Sequence, residues 1–219
     1  GIDIKYLEQE KPIGLPDAFI LGKKFIGKDK IAMILGDNFY YGQSLSKKLR
    51  ECTKLKNGAK IFLHQVSKPH LFGVAKIDKK NKILNIIEKP KKKISNYAIT
   101  GLYFFDNKVV NYSKNLKPSL RGELEITDLL KKYLKTNTLK AELIGRGGAW
   151  LDTGSIDDLY KTSTFVHTIE QRQGLKIACL EEIAYEMGYI SKEKLLELAQ
   201  PLKKNQYGQY LIERVNAIY

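Results

Sequence analysis

The clearest pattern in the chain is a short apolar run ending on an acid. Ile31-Ala32-Met33-Ile34-Leu35 leads directly into Gly36-Asp37-Asn38. A run of this length closed by turn residues predicts a buried strand over 30–35. Before it, Pro16 followed by Ala18, Phe19, Leu21, Phe25 and Ile26 predicts a helix over 16–26 that stops at Gly27. After it, Leu45, Leu49, Cys52 and Leu55 share one helical face behind Ser44, a possible cap, and Asn57-Gly58 ends that helix. A further apolar strand is predicted over 59–66. Strand, helix and strand in about 35 residues read as a βαβ unit, hence a parallel pairing.

The pattern then changes. Short strands are expected over 72–77 and 83–88 around Asp78-Lys79-Lys80-Asn81, a hairpin signal. Further strands are expected over 97–105 and 139–144, with helices near 107–115 and 125–135. Ile156, Leu159, Tyr160, Ser163, Val166 and Ile169 keep helical spacing over 155–172. Beyond Gly174, three short helices are predicted over 181–187, 191–199 and 206–215. The expected fold is α/β: a mixed, mostly parallel sheet flanked by helices over 1–174, with a helical appendage over 175–219.

Composition narrows the picture. The 219 residues are 43% hydrophobic and 10% aromatic, which suits a globular chain. No run approaches the roughly 20 apolar residues of a membrane span. Cys52 and Cys179 show no pairing pattern and fit a reducing cytoplasm. His64, His70 and His167 lack metal-ligand spacing. The opening GIDIKYLEQEKPIG has no signal-peptide layout and no starting Met, so the chain is expected to begin partway through a longer sequence. The formal charge of +14 is carried mainly by scattered lysines. A solvated lysine bias explains it first, anionic small substrates second and nucleic acid third, since no nucleic-acid motif accompanies it. No nucleic-acid or membrane partner is expected.

Candidate chemistry starts at Asp37. Ligands of open parallel sheets bind beyond the carboxyl ends of strands, but Asp-Asn after a strand also suits a simple turn. A second acid, Asp152 in Trp150-Leu151-Asp152-Thr153-Gly154, precedes a helix. It, or Ser155, serves equally well as that helix's cap. Together the two carboxylates suit Mg²⁺, which takes one or two carboxylates and fills its shell with water and phosphate oxygens. Glu88-Lys89-Pro90 offers an acceptor for sugar hydroxyls and a cation for phosphate, or a surface ion pair. Gly73, in Phe72-Gly73-Val74, offers close backbone approach to a ring, or a bulge. Arg121, in Arg121-Gly122-Glu123-Leu124-Glu125, offers a phosphate contact, or belongs to an acid-led helix start.

The segments LGDNFYYG, FGV, IIEKP, SNYAITGLYFFD, NLKPSLRGELEITD, GRGGAWLDTG and TIEQRQGLKIACLEEIA resemble, in order, those of bacterial glucose-1-phosphate thymidylyltransferases. The likeness runs from residue 1 to about residue 212. It implies a Rossmann-like sugar nucleotidyltransferase fold and Mg²⁺-dependent attack of glucose 1-phosphate on the α-phosphate of dTTP. The products would be dTDP-glucose and pyrophosphate, in dTDP-rhamnose and cell-surface polysaccharide synthesis. By motif, Asp37 and Asp152 look like metal ligands, and Gln9 and Gly14 like base contacts. Gly73, Glu88, Lys89 and Tyr103 look like sugar or sugar-phosphate contacts. Arg121 and Trp150 would line the same side, and Asn38 would also contact substrate. Asp37, Asp152, Lys89 and Arg121 would carry catalysis. Members of the family form homotetramers under feedback control. The family's glycine-rich GGxGTRLxPxT-type loop, with its own arginine, is not among these 219 residues, so the chain alone is expected to be catalytically impaired. The alternative is a non-catalytic sugar-nucleotide-binding or oligomer-forming subunit.

Overall fold

The computed structural model describes residues 2–216. They divide into two compact units, residues 6–162 and residues 163–216 together with residues 2–5.

The larger unit is built on a mixed sheet. Its elements run α1 (Asp17–Leu21), α2 (Lys23–Ile26), β1 (Ile31–Ile34), β2 (Asn38–Tyr41), α3 (Leu45–Thr53), β3 (Ala59–Gln65), β4 (Gly73–Ile77), β5 (Ile83–Glu88), β6 (Tyr97–Phe105), α4 (Lys108–Lys114), α5 (Ile126–Lys135), β7 (Leu139–Leu143) and β8 (Ala149–Asp152). The strand order is β5-β4-β6-β3-β7, and β1 also pairs with β6. β3 takes one edge of β6 from Tyr97 to Phe105. The other edge is shared: β4 meets it at Ala98 and β1 from Leu102 to Phe105.

The α/β class and the mixed sheet are as expected. The expectation of mostly parallel pairing is corrected. Among the described pairs only β3 with β7 is parallel, and the others are antiparallel. β1 and β3 do run the same way, as a βαβ reading requires, but β6 lies between them. The physical reason is the long, almost wholly buried β6, which outcompetes a direct β1–β3 pairing. The single helix expected over 16–26 is two short helices, broken at Gly22.

The pleat of β6 sorts the core into two layers. Ile99, Tyr103 and Phe105 face one cluster with Phe19, Leu129, Leu130 and Tyr133. Leu102 and Phe104 face the other, with Phe62 and Cys52 of α3. Phe19 meets Phe105 edge-on at 5.3 Å, a favoured aromatic geometry. Strands β2 and β8 form a separate two-stranded antiparallel sheet, which pairs Asn38 with Asp152 and Tyr40 with Trp150. Neither strand is evident in the sequence pattern.

The smaller unit holds the end of α6 (Ile156–Gln173), which crosses the division, and then α7 (Leu180–Glu186), α8 (Lys192–Ala199) and α9 (Gln206–Asn216). Its core is Cys179, Leu195, Ala199, Tyr210, Leu211 and Val215. Ser191 caps α8 by accepting from the Lys194 amide. Buried Glu182 accepts from the Tyr210 hydroxyl at 2.6 Å and pairs with Arg214, so its charge is compensated. Residues 217–219, at the end of the chain, lie outside the described residues.

Candidate active site

The missed β2–β8 ribbon is what brings the two acids together. Asp37 sits between β1 and β2, and Asp152 ends β8. Their strands are tied at this end. The Thr153 amide and hydroxyl both donate to the Asp37 carbonyl at 2.8 Å. The Gly154 amide donates to Asp152 Oδ1, also at 2.8 Å. A Cβ added at Gly154 would lie 3.0 Å from Asp152 Oδ1 and 3.7 Å from Asp37 Oδ2. The absent side chain therefore leaves a space that both carboxylates border. Asp152 does not cap α6. Ser155 does, accepting from the Asp158 amide at 3.1 Å.

Two hard carboxylate oxygens around an open space fit Mg²⁺, which needs no further protein ligand. Among the described residues, no group of three or more His, Cys, Asp or Glu side chains forms a metal cage. A site completed by water and phosphate oxygens is the kind the donors suit.

The wall beside the acids is aromatic. Trp150, buried on β8, packs edge-on to Phe72 at 4.9 Å. Its indole N–H donates to Asn38 Oδ1 at 2.6 Å. A groove of about 490 Å³ runs past Phe72, Trp150, Asp152 and Gly154.

Phe72 leads into the second cluster. Gly73 opens β4 opposite Glu88. It is not a bulge, because the register shift in this hairpin lies at Lys76–Ile77. A Cβ at Gly73 would meet Thr127 Cγ2 at 2.9 Å and Glu88 Oε2 at 3.2 Å. Burial, and then the charge of Glu125, push the Glu88 carboxyl above its ordinary range, against Arg121 and Lys89. Arg121 forks onto Glu125, with Nε to Oε1 at 3.1 Å and Nη2 to Oε2 at 2.8 Å. Burial pushes the Glu125 carboxyl up, but bonds from Arg121 and Ser119 hold it below the carboxylate range. The same Nη2 lies 3.9 Å from Glu88 Oε1. Lys89 follows β5 with φ at 38°, an uncommon conformation for a non-glycine residue. Its amide donates to the Phe72 carbonyl at 3.1 Å.

The third cluster is the opening loop. Gln9 Nε2 donates to Asp17 Oδ2 at 2.8 Å. Gly14 has φ at 117°, and a Cβ there would lie 2.2 Å from the Leu124 carbonyl oxygen. The loop is therefore seated against the segment that carries Arg121 and Glu125. Tyr103 stands apart from these groups. It is buried in the core and stacked on Phe105 at 6.0 Å. Burial, and after it the charges of Tyr40 and Glu88, raise its phenol well above the usual range.

Sequence reasoning thus misses Thr153, Gly154, Ser119 and Glu125 as the groups that hold Asp37, Asp152 and Arg121. The Gly after the acid in LDTG and the acids of RGELE were the available signals.

Residues 1–169 match the Nucleotidyl transferase family, which defines the class. A glucose-1-phosphate thymidylyltransferase of Neisseria meningitidis is 49% identical over 212 residues, covering 97% of this chain and 74% of the relative. One from Mycobacterium tuberculosis is 44% identical over 213 residues, covering 97% and 74%. A solved Bacillus anthracis chain with the same assignment, in complex with a sucrose, aligns with a TM-score of 0.66 and 42% identity. That alignment covers 74% of this chain and 64% of the Bacillus one. A UDP-glucose pyrophosphorylase structure, 23% identical with a TM-score of 0.67, shares the fold. The chain belongs to the glucose-1-phosphate thymidylyltransferase family.

Proposed function

We propose that the protein joins glucose 1-phosphate to the α-phosphate of dTTP, forming dTDP-glucose and releasing pyrophosphate. A phosphate oxygen of the sugar phosphate attacks the α-phosphorus, and the bond from that phosphorus to the bridging oxygen of the β-phosphate breaks. The nucleophile is already ionised at neutral pH, so the reaction needs positioning and charge neutralisation more than a base. The observation that carries the reading is the pair Asp37 and Asp152 bordering one open space at Gly154.

Asp37 and Asp152 would hold Mg²⁺, which when bound neutralises charge on phosphate oxygens. Glu88 would accept from sugar hydroxyls, with Gly73 letting the ring close on the backbone. Lys89 would meet the sugar phosphate. Arg121 is oriented by Glu125, and no described residue bonds its Nη1, which leaves donors for a phosphate oxygen. Gln9 and Gly14 would contact the base, and Trp150 would complete the sugar side; Asn38, bonded to Trp150, and Tyr103, buried in the core, would stand behind the ligand surface. A cytoplasmic location, a homotetrameric assembly and supply of dTDP-rhamnose and polysaccharide synthesis belong to the same proposal. Among the described residues no helix is long and apolar enough to cross a membrane.

The glycine-rich loop that would cradle the triphosphate is not among these residues, and backbone N–H groups of such loops do that work. A polypeptide of these 219 residues is therefore expected to turn over far more slowly than one carrying such a segment ahead of it. The test is pyrophosphate release with Mg²⁺ and glucose 1-phosphate, across dTTP, UTP and CTP, on both polypeptides. The expected result is dTTP-preferring release, restored by the added segment. Release in neither, with dTDP-glucose still bound, would replace the proposal with a binding subunit.

A further inference from the structure

The Asn38 side chain makes three hydrogen bonds inside the site, all to the protein itself. Its Oδ1 accepts from the Trp150 indole at 2.6 Å and from the Gly101 amide at 3.2 Å. Two donors facing one atom fix that atom as the oxygen. Its Nδ2 then faces Asp37 and donates to Oδ1 at 2.7 Å. Both oxygen lone pairs are thereby used, and one N–H remains.

The bond to Asp37 selects which carboxylate oxygen is left over. Oδ1 is held by Asn38, while Oδ2 faces the space at Gly154. The backbone supports the arrangement. Asn38 is the strand partner of Asp152 across the ribbon. A Cβ at Gly101 would lie 2.8 Å from Asn38 Cγ and Oδ1. The glycine within buried β6 is thus explained by the amide that occupies its side-chain volume.

We propose that Asn38 is a positioning residue that orients Asp37 toward the cation and, through the same amide, fixes Trp150. This rests on the reading of Asp37 and Asp152 as cation ligands. It assigns Asn38 to the protein's own scaffold and separates it from direct substrate contact. The same amide couples the cation acid to the sugar-side wall, because Trp150 packs on Phe72 beside Gly73. Groups that orient metal ligands typically change metal affinity about 10- to 100-fold when removed.

The chain has one tryptophan, Trp150, so its fluorescence reports on this site alone. The experiment titrates Mn²⁺ alone, by electron paramagnetic resonance and by quenching of Trp150, into the wild type, Asn38→Ala, Asn38→Ser and Asp152→Asn. Thermal melts and binding of dTDP-glucose in Mg²⁺ accompany each titration. The expected result is Mn²⁺ affinity about tenfold weaker in the Asn38 variants, with Trp150 emission shifted to the red because water replaces Asn38 as the partner of the indole N–H. The serine variant keeps a polar group in the space but is too short to bridge, so it repeats the result if the alanine variant does not fold. Folded variants with wild-type Mn²⁺ affinity and weakened dTDP-glucose binding would make Asn38 a substrate ligand and overturn the proposal. A lowered melting temperature with neither affinity changed would make it merely structural, with the same consequence. Absence of Mn²⁺ binding in the wild type, or unchanged binding in Asp152→Asn, would overturn the cation reading itself and this inference with it.

Discussion

Glu88 shows how a single side chain ties site chemistry to stability. Burial, and then the charge of Glu125, raise its carboxyl above the ordinary range. As pH rises, the unfolded chain gives up this proton before the folded one, so the ionised group costs stability. The cost is fully present above the folded pKa and absent below the unfolded one, near about pH 4. Glu88→Gln is expected to melt higher than wild type at neutral pH, and the gap should close as pH falls through the carboxylate range. The same variant should bind dTDP-glucose more weakly, since a carboxylate acceptor is lost. Melting curves of both proteins across pH check the first statement and calorimetry the second. At this scale the sequence singled out Asp37, Asp152, Gly73 and Glu88 as candidates, because an acid or a glycine at the end of a strand stands out in the pattern. The roles of Asn38, Thr153 and Glu125 were not legible. Asn38 and Thr153 act through partners distant in sequence, Trp150 and Asp37, and Glu125 through a fork with Arg121 whose geometry spacing alone does not reveal.

The decisive elements are β2 and β8, each four residues long. Strands β3, β5 and β6 were legible from their apolar runs, and α3, α5 and α6 from helical spacing. The β2–β8 ribbon was not, because Asn38-Phe39-Tyr40-Tyr41 has no alternation and all four positions are half-buried. Its pairing is long-range and rests on backbone bonds that composition does not reveal. The same limit explains the excess of parallel pairing expected from sequence. Strand direction within the sheet depends on where the chain places β6, and local pattern carries no record of that. A prediction belongs to this element. Gly154→Ala puts a methyl group where the two carboxylates meet, 3.0 Å from Asp152 Oδ1. The variant is expected to fold normally and to need about tenfold more Mg²⁺ or Mn²⁺ for half-saturation. A cation titration followed by Trp150 fluorescence reads this directly.

Across the whole molecule, charge is distributed unevenly. Residues 6–162 hold 30 of the 38 basic and 16 of the 24 acidic side chains, and the remaining residues hold 8 of each. The entire excess of +14 thus belongs to the unit that carries the candidate site. A positive field of this kind raises encounter rates with anionic ligands and is screened by salt. Association of a nucleoside triphosphate is expected to slow at least about threefold between about 0.01 M and 0.15 M salt, while binding of an uncharged sugar stays constant. Stopped-flow measurements separate the two. The sequence pattern changes after Gly174, whereas the two units divide at residue 162, inside α6, and the smaller one also takes residues 2–5. The partition of charge between them follows once that division is known.

In the proposed reaction Asp37 and Asp152 gather the cation on which thymidylyl transfer depends. The most direct measurement is glucose-1-phosphate-dependent pyrophosphate release from dTTP by the chain with a relative's glycine-rich segment ahead of it, compared with its Asp37→Asn and Asp152→Asn variants. Release is expected in the parent, with a loss of at least about a hundredfold in each variant and melting temperatures retained. Release at the parent's rate in either folded variant would contradict that role for the two acids.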